Sequence, residues 1–97
     1  MKWLALVVAL AGCHAKHARN PADNAVVIVT SNVRDAQVFL DGRFIAPLVA
    51  LHGGMAIEPG THRIELRRED YFSRYLEVRL GRAEHTTVEL PLAAILP

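Results

Sequence analysis

The dipeptide Asp41–Gly42 lies between two apolar runs and constrains the fold of this chain more than any other feature. A two-residue hairpin turn of type I′ needs positive φ at both central positions, which aspartate tolerates and glycine adopts freely. The pattern therefore predicts a β-hairpin in which Phe39 faces Phe44 and Val38 faces Ile45. Both faces of this hairpin carry apolar side chains, so we expect one to face the core and the other to be partly covered.

The rest of the chain after residue 24 alternates apolar and polar residues with a period of two, as strands do. The run Ala25–Ser31 is rich in β-branched residues, which favour strands. Glycine and proline interrupt the pattern at strand spacing, and no segment has the length and caps of a helix. These observations predict an all-β fold, a small antiparallel β-sandwich. The inward positions are His62, Ile64 and Leu66, then Leu76, Val78 and Leu80, and finally Thr86, Val88 and Leu90.

The N-terminus is typical of a secretory signal. Lys2 supplies a positive start, and Trp3–Leu10 is an uncharged apolar run that is too short to cross a bilayer, which takes about 20 residues. A buried N-terminal helix is the alternative, but the run has no accompanying polar face. Because no stretch of 18 or more apolar residues occurs, a transmembrane helix is not expected.

The run leads into the tetrapeptide Leu10, Ala11, Gly12 and Cys13, and Cys13 is the only cysteine of the chain. They resemble the bacterial lipobox, the cleavage and lipidation signal of lipoproteins. The resemblance implies that Cys13 becomes the new N-terminus and carries a covalent lipid, with no other cofactor. Two or more acyl chains hold a protein stably on a membrane. An unmodified thiol left after ordinary secretion is the alternative.

The signals divide the chain into four parts. Residues 1–12 are the expected lipoprotein signal peptide, residues 13–24 the lipidated cysteine and a linker, residues 25–92 the β-sandwich domain, and residues 93–97 a short apolar C-terminal tail. The linker residues 14–24 reach at most about 36 Å when extended. Since His14 stands where aspartate would retain a lipoprotein at the inner membrane, the resemblance implies an outer-membrane location in the cell envelope. The tail extends the last strand, covers the sandwich end or contacts a partner.

Composition narrows the classes of partner. Lys and Arg number 11 against 10 Asp and Glu, aromatic residues make up 6%, and no run of like charges occurs. A nucleic-acid-binding surface needs a basic patch and usually stacking aromatics, so no nucleic-acid partner is expected. The membrane, reached through the lipid, and an envelope protein are the partners that the sequence favours. A single cysteine excludes a disulfide within the chain.

From Asn32 to Leu92 the sequence is similar to the PEGA domain, a small β-sandwich of prokaryotic envelope and surface proteins with an immunoglobulin- or transthyretin-like architecture. The family's Pro-Glu-Gly-Ala stretch is replaced here by Val33–Ala36, and the usual glycine before Tyr71 is Asp70. The resemblance implies an extracytoplasmic interaction or structural module without shared catalytic residues. The matching residues are Ala36, Val38–Arg43, Pro47, Pro59, Gly60, His62, Ile64, Leu66, Tyr71 and Gly81.

No catalytic site is indicated. Ser31 and Ser73 are the only serines, and neither lies in a nucleophile motif. His14 and His17 lack a third ligand, so no metal site is expected. The family position of His62 implies a hydrogen bond that holds a turn. The residues assigned to structural turns are Asp41, Gly42, Pro59, Gly60 and His62.

The candidate binding residues are Phe39 and Phe44. They would form an exposed apolar patch unless the loop Leu48–Met55 covers them, and cover is the expectation. The sequence thus predicts a non-enzymatic, lipid-anchored module that binds an envelope protein or has a structural role. The alternative is a module that binds a small ligand or glycan through the Phe39/Phe44 face.

Overall fold

The computed structural model describes residues 20–52 and 54–96, and the predicted signal peptide, the lipobox-like residues and Cys13 lie outside them. In the described part the chain forms seven strands and two single turns of 3-10 helix, at Pro21–Asp23 and Leu48–Ala50. The all-β prediction is confirmed. The strands are β1 (Ala25–Thr30), β2 (Gln37–Leu40), β3 (Arg43–Pro47), β4 (Met55–Ile57), β5 (Gly60–Arg67), β6 (Arg74–Leu80) and β7 (His85–Glu89).

The strands form two sheets that enclose a single apolar cluster, as in a small β-sandwich. The smaller sheet has the order β4-β1-β7 and the larger one the order β3-β2-β5-β6. All pairs are antiparallel except β1 with β7, which run parallel. The predicted antiparallel sandwich is therefore right for every strand pair but this one.

The core consists of the side chains that the period-of-two pattern turns inward. On β5, Ile64 and Leu66 are completely buried, whereas the alternate residues Arg63 and Arg67 are exposed. Burying such side chains is the main favourable term in folding. The buried residues are Ala25, Val27, Val29, Val33, Ala36, Val38, Met55, Ile57, Ile64, Leu66, Leu80, Val88, Leu90 and Leu92.

The hairpin between β2 and β3 turns at Asp41–Gly42, where φ is 52° and 86°. Both values lie in the left-handed region that a type I′ turn requires. Phe39 pairs with Phe44, as predicted. The predicted pair of Val38 with Ile45 is wrong: the register shifts between Val38 and Phe39, so Val38 lies opposite Ala46. Ile45 is therefore an extra residue on β3 without a partner on β2. This irregularity is a β-bulge, which the spacing of apolar residues does not reveal.

The two ends of the chain meet the domain at opposite ends of β1. At its start, the Ala83 N–H donates to the Asp23 carbonyl and the Val26 N–H to the Glu84 carbonyl. At its finish, the Leu90 N–H donates to the Thr30 carbonyl. The chain therefore enters the sandwich at one end and leaves it at the other, separated by the length of a six-residue strand, about 20 Å.

The C-terminal tail does not extend the last strand, since β7 ends at Glu89, and it pairs instead with the segment before β6. Ala94 pairs with Tyr71 in an antiparallel bridge. The Phe72 N–H donates to the Ala93 carbonyl, and the Ile95 N–H donates to the Asp70 carbonyl. This pairing joins the end of the smaller sheet to the segment that precedes β6.

Candidate functional site

His62 joins the hairpin turn to the loop before β5. Its Nδ1 lies 2.7 Å from Oδ2 of Asp41. Its Nε2 lies 2.8 Å from the carbonyl oxygen of Glu58. The other oxygen of Asp41 accepts a hydrogen bond of 2.8 Å from the Arg63 N–H. The side chains of His62 and Asp41 thus hold together the turn at Asp41, strand β5 and the chain just before Pro59. We call these contacts the turn network.

Both partners of the His62 ring are acceptors, which favours the charged form of the ring. A neutral imidazole has one donor and one acceptor nitrogen, so it would set a lone pair against one of these oxygens. The ring satisfies both contacts only as the doubly protonated imidazolium. Burial alone would lower the pKa of His62, but the hydrogen bonds to Asp41 and to the Glu58 carbonyl outweigh burial and raise it above 6.5. The hydrogen bonds from His62 and the Arg63 N–H lower the pKa of Asp41 below 3.8.

These shifts predict a pH dependence of stability. The contribution of His62 is fully present below its unfolded pKa of 6.5 and is lost as pH rises through its raised folded value. The contribution of Asp41 is present above 3.8 and is lost as pH falls through its lowered value. We expect the difference in melting temperature between the native chain and His62→Gln to be largest near pH 6 and to shrink toward pH 9.

Thermal unfolding followed by circular dichroism across this pH range measures the effect. The matched control is His85→Gln, because His85 is exposed on the outer side of β7 and its side chain makes no hydrogen bond in the described structure. That variant should keep the pH dependence of the native chain. A difference between native and His62→Gln proteins that stays constant from pH 6 to pH 9 would show that the ring is not charged in the fold.

The other residues assigned to turns lie around this network. Gly42 follows Asp41 in the hairpin turn, and Gly60 begins β5 with φ of 129°, a value that L side chains rarely adopt. Pro59 precedes it and is half-buried. Beside them lies an open groove of about 290 Å³, whose lining includes Leu40, Ile57 and His62. The structure thus brings all five predicted turn residues together at one end of the sandwich.

Phe39 and Phe44 form an edge-to-face pair on the outer side of the larger sheet. Their ring centroids are 5.7 Å apart and their planes meet at 63°. The predicted cover by the loop after β3 is wrong, since Phe44 remains 53% exposed. The reason is that the apolar side chains of this loop, Leu48 and Leu51, pack against the core cluster and are not available to the outer face.

Arginines lie over the aromatic rings of this outer face. The guanidinium of Arg67 is 3.9 Å from the centroid of Phe39, and Glu65 holds it in an ion pair of 3.1 Å. The guanidinium of Arg63 is 3.7 Å from the centroid of Tyr75. Arg63 lies opposite Glu77 in the register of β5 and β6, and its guanidinium contacts the ring of Tyr75. Cation–π contacts of this kind stabilise exposed rings modestly.

A second exposed apolar surface was not foreseen from the sequence. Phe72 is 60% exposed, Ile95 49% and Leu96 80%. Because Tyr71 pairs with Ala94, Phe72 and Ile95 lie on the same side of this short ribbon as diagonal neighbours. We call Phe72 and Ile95, together with the exposed Leu96 that follows along the chain, the C-terminal patch. The apolar tail is the part of this surface that the sequence indicates. That Phe72 lies beside the tail follows only from the pairing of Tyr71 with Ala94.

The patch lies at the end of the sandwich where β1 finishes. The side-chain amide of Asn32, two residues after β1, donates to the Leu92 carbonyl, and its Oδ1 accepts from the Leu92 N–H. These bonds hold the chain just before the patch. The patch is therefore remote from the turn network and from the point where the chain enters the domain.

Within residues 20–52 and 54–96, no group of three or more His, Cys, Asp or Glu side chains is arranged to hold a metal ion. In the same residues, no helix is long and apolar enough to cross a membrane. Ser31 donates to the side chain of Asn32 and accepts from the Val33 N–H, so it closes a local turn. No family model matches the chain, and no curated protein matches it.

Proposed function

We propose that this chain is a lipid-anchored β-sandwich of the bacterial envelope that binds a protein partner through the end of the domain remote from its anchor. The lipobox-like residues Leu10–Cys13 support the anchor, and the similarity of residues 32–92 to the PEGA domain supports the envelope setting. The proposal includes Cys13 as the site of the lipid and the outer membrane as the location. It assigns the protein no catalytic role.

The position of the C-terminal patch carries this proposal. The linker joins the domain next to the turn Gly81–Glu84, where Arg82 also forms an ion pair of 2.9 Å with Asp23. A short tether keeps this end of the domain near the membrane. The C-terminal patch lies at the opposite end, about 20 Å away along β1, and so faces away from the lipid. Exposed apolar clusters on a small domain are typical of protein-binding surfaces.

His62 is the side chain best suited to proton transfer, but its contacts in the turn network support a structural role. A general base must reach a substrate proton with a free nitrogen. Both nitrogens of His62 are already bonded, to Asp41 and to the Glu58 carbonyl. The ring therefore stabilises the hairpin and the start of β5.

Binding of a glycan through the Phe39/Phe44 face is the second candidate, and the exposure of Phe44 favours it. Sugars stack on open aromatic faces. Arg67 already occupies one face of Phe39, and the rings of Phe39 and Phe44 pack edge to face. The exposed face of Phe44 is thus the main platform left for a sugar, and we rank this candidate below protein binding.

Photo-crosslinking in the cells that naturally make the protein tests the proposal. A photoreactive amino acid is placed in the full-length chain at position 72, at position 44 or at position 87. Thr87 is exposed on the outer side of β7 and serves as the matched control. We expect a discrete protein adduct in the membrane fraction from position 72 and none from position 87. With Cys13→Ser, the chain should leave the membrane fraction and the adduct should weaken.

Each alternative has its own result. A polysaccharide adduct from position 44, without a protein adduct from position 72, would favour the glycan module. Equal adducts from positions 72 and 87 would remove the C-terminal patch as the binding surface. A native chain that stays in the soluble fraction while Cys13 is intact would contradict the lipid anchor.

A further inference from the structure

Strand β6 is an open edge of the larger sheet. It pairs only with β5 among the described residues, and the C-terminal tail covers just the segment Asp70–Phe72 before it. Edge strands present a row of unpaired backbone groups to any strand that comes close, so proteins usually shorten or distort them. The other edge of this sheet is distorted in this way, since β3 contains the bulge and ends at Pro47. The seven residues of β6 contain no proline, lysine or bulge.

The side of β6 that faces the core is also incompletely covered. Leu76 is 38% exposed although it occupies a core-facing position, whereas Leu80 on the same side is 4% exposed. The part of β6 around Leu76 is therefore less covered on its inner side than the part around Leu80. A further strand beside β6 would cover both Leu76 and the free backbone groups.

The charges of β6 select the partner and the register. Two copies that pair antiparallel about a two-fold axis place residues of the same face opposite each other, so one residue lies opposite itself at the centre. A centre at Glu77 or at Arg79 sets like charges opposite each other, which is unfavourable. A centre at Leu76 brings Phe72, whose edge the tail occupies, opposite Leu80. Over residues 76–80, a centre at Val78 avoids both problems.

We propose that β6 is a self-association edge through which two copies of this chain pair antiparallel about Val78. In this register, Glu77 of each copy lies opposite Arg79 of the other copy on the outer side. On the inner side, Leu76 lies opposite Leu80 of the other copy, and the two Val78 side chains meet. The two larger sheets then form one continuous sheet of eight strands. This surface differs from the C-terminal patch, so the inference is independent of the proposed function.

Disulfide formation between introduced cysteines tests the register in the full-length chain. Opposed residues of an antiparallel pair have Cβ atoms about 4.5–5.5 Å apart, whereas diagonal neighbours are about 7–8 Å apart. Disulfides need about 3.5–4.5 Å between the Cβ atoms, a distance that breathing of the opposed pair reaches most readily. We expect mild oxidation to link Val78→Cys copies to each other. A Glu77→Cys copy should link to a differently tagged Arg79→Cys copy, and much less to another Glu77→Cys copy. The native chain, which keeps Cys13, gives the background.

Charge reversal tests the driving force with the Val78→Cys chain as the reporter. Glu77→Arg alone or Arg79→Glu alone places like charges opposite each other twice, and we expect the linked fraction to fall about tenfold. The double variant restores opposite charges and should return to within about twofold of the starting fraction. Because Glu77 and Arg79 are exposed, these variants should keep the circular dichroism spectrum of the native fold.

Three results would overturn the inference. The first is a Val78→Cys chain that links no more than the native background. The second is linkage that the single charge reversals leave unchanged in correctly folded protein. The third is linkage of Val78→Cys to a different protein in place of a second copy, which would assign this edge to another partner.

Discussion

Replacing Leu66 with alanine should lower the free energy of unfolding by about 2–5 kcal/mol, which is a large part of the total of about 5–15 kcal/mol for a small domain. Leu66 is completely buried. It lies on β5, which β2 and β6 flank on either side, and it pairs with Val38 and Arg74. The surrounding strands cannot close in on the cavity without losing their own pairing, so both the transfer energy and the cavity contribute.

Urea unfolding followed by circular dichroism measures this loss. Thr61→Ala is the matched control, because Thr61 lies on the same strand with an exposed side chain. We expect that control to stay within about 0.5 kcal/mol of the native chain. A loss below about 1 kcal/mol for Leu66→Ala would mean that the core rearranges around the gap, and the packing described for β5 would be wrong.

Asp41→Ala should lower the free energy of unfolding by about 2 kcal/mol. The change removes the hydrogen bonds to the His62 ring and the Arg63 N–H. It also places alanine at φ of 52°, where a Cβ is unfavourable. The aspartate side chain is 47% exposed, so water replaces part of the lost hydrogen bonding. The expected loss of free energy of unfolding therefore lies near the lower end of the range for hydrogen bonds to charged groups.

Asp41→Asn separates charge from geometry in this prediction. Asparagine tolerates positive φ and its side-chain oxygen can still accept from the Arg63 N–H, but it carries no charge for the imidazolium. We expect about half of the loss seen with alanine when thermal unfolding is compared at pH 6. Equal losses for both substitutions would assign the whole effect to the charge of the carboxylate. An alanine variant as stable as the native chain would contradict a role for this network in holding the turn.

The sequence predicted what depends on neighbouring residues along the chain. The turn at Asp41–Gly42, the pairing of Phe39 with Phe44 and the inward face of β5 all follow from local chemistry and a period of two. The bulge opposite Val38 and the parallel partner of β1 did not follow. Both depend on how separate strands meet, which the pattern of a single strand does not encode.

For the candidate site, too, the sequence predicted what depends on local residues and missed what depends on how separate strands meet. The resemblance to the PEGA domain implied that His62 holds a turn, but not which groups it binds, because Asp41 lies 21 residues away. The Phe39/Phe44 face was identified, whereas the arginine over Phe39 depends on the register of β5 against β2. The C-terminal patch depends on the pairing of the tail with Tyr71, which brings together residues more than 20 positions apart.

The parallel pairing of β1 with β7 also determines when this domain can fold. Val27, on the central strand of the smaller sheet, pairs with Met55 on one side and Thr86 on the other. Strand β1, the first of the described strands to be synthesised, therefore cannot complete its pairing until β7, the last of them, is present. Such high contact order slows folding and leaves apolar strands unprotected in the meantime. A chain truncated before His85 leaves one side of β1 open, so the domain needs every strand through β7 before it is protected from aggregation and proteolysis.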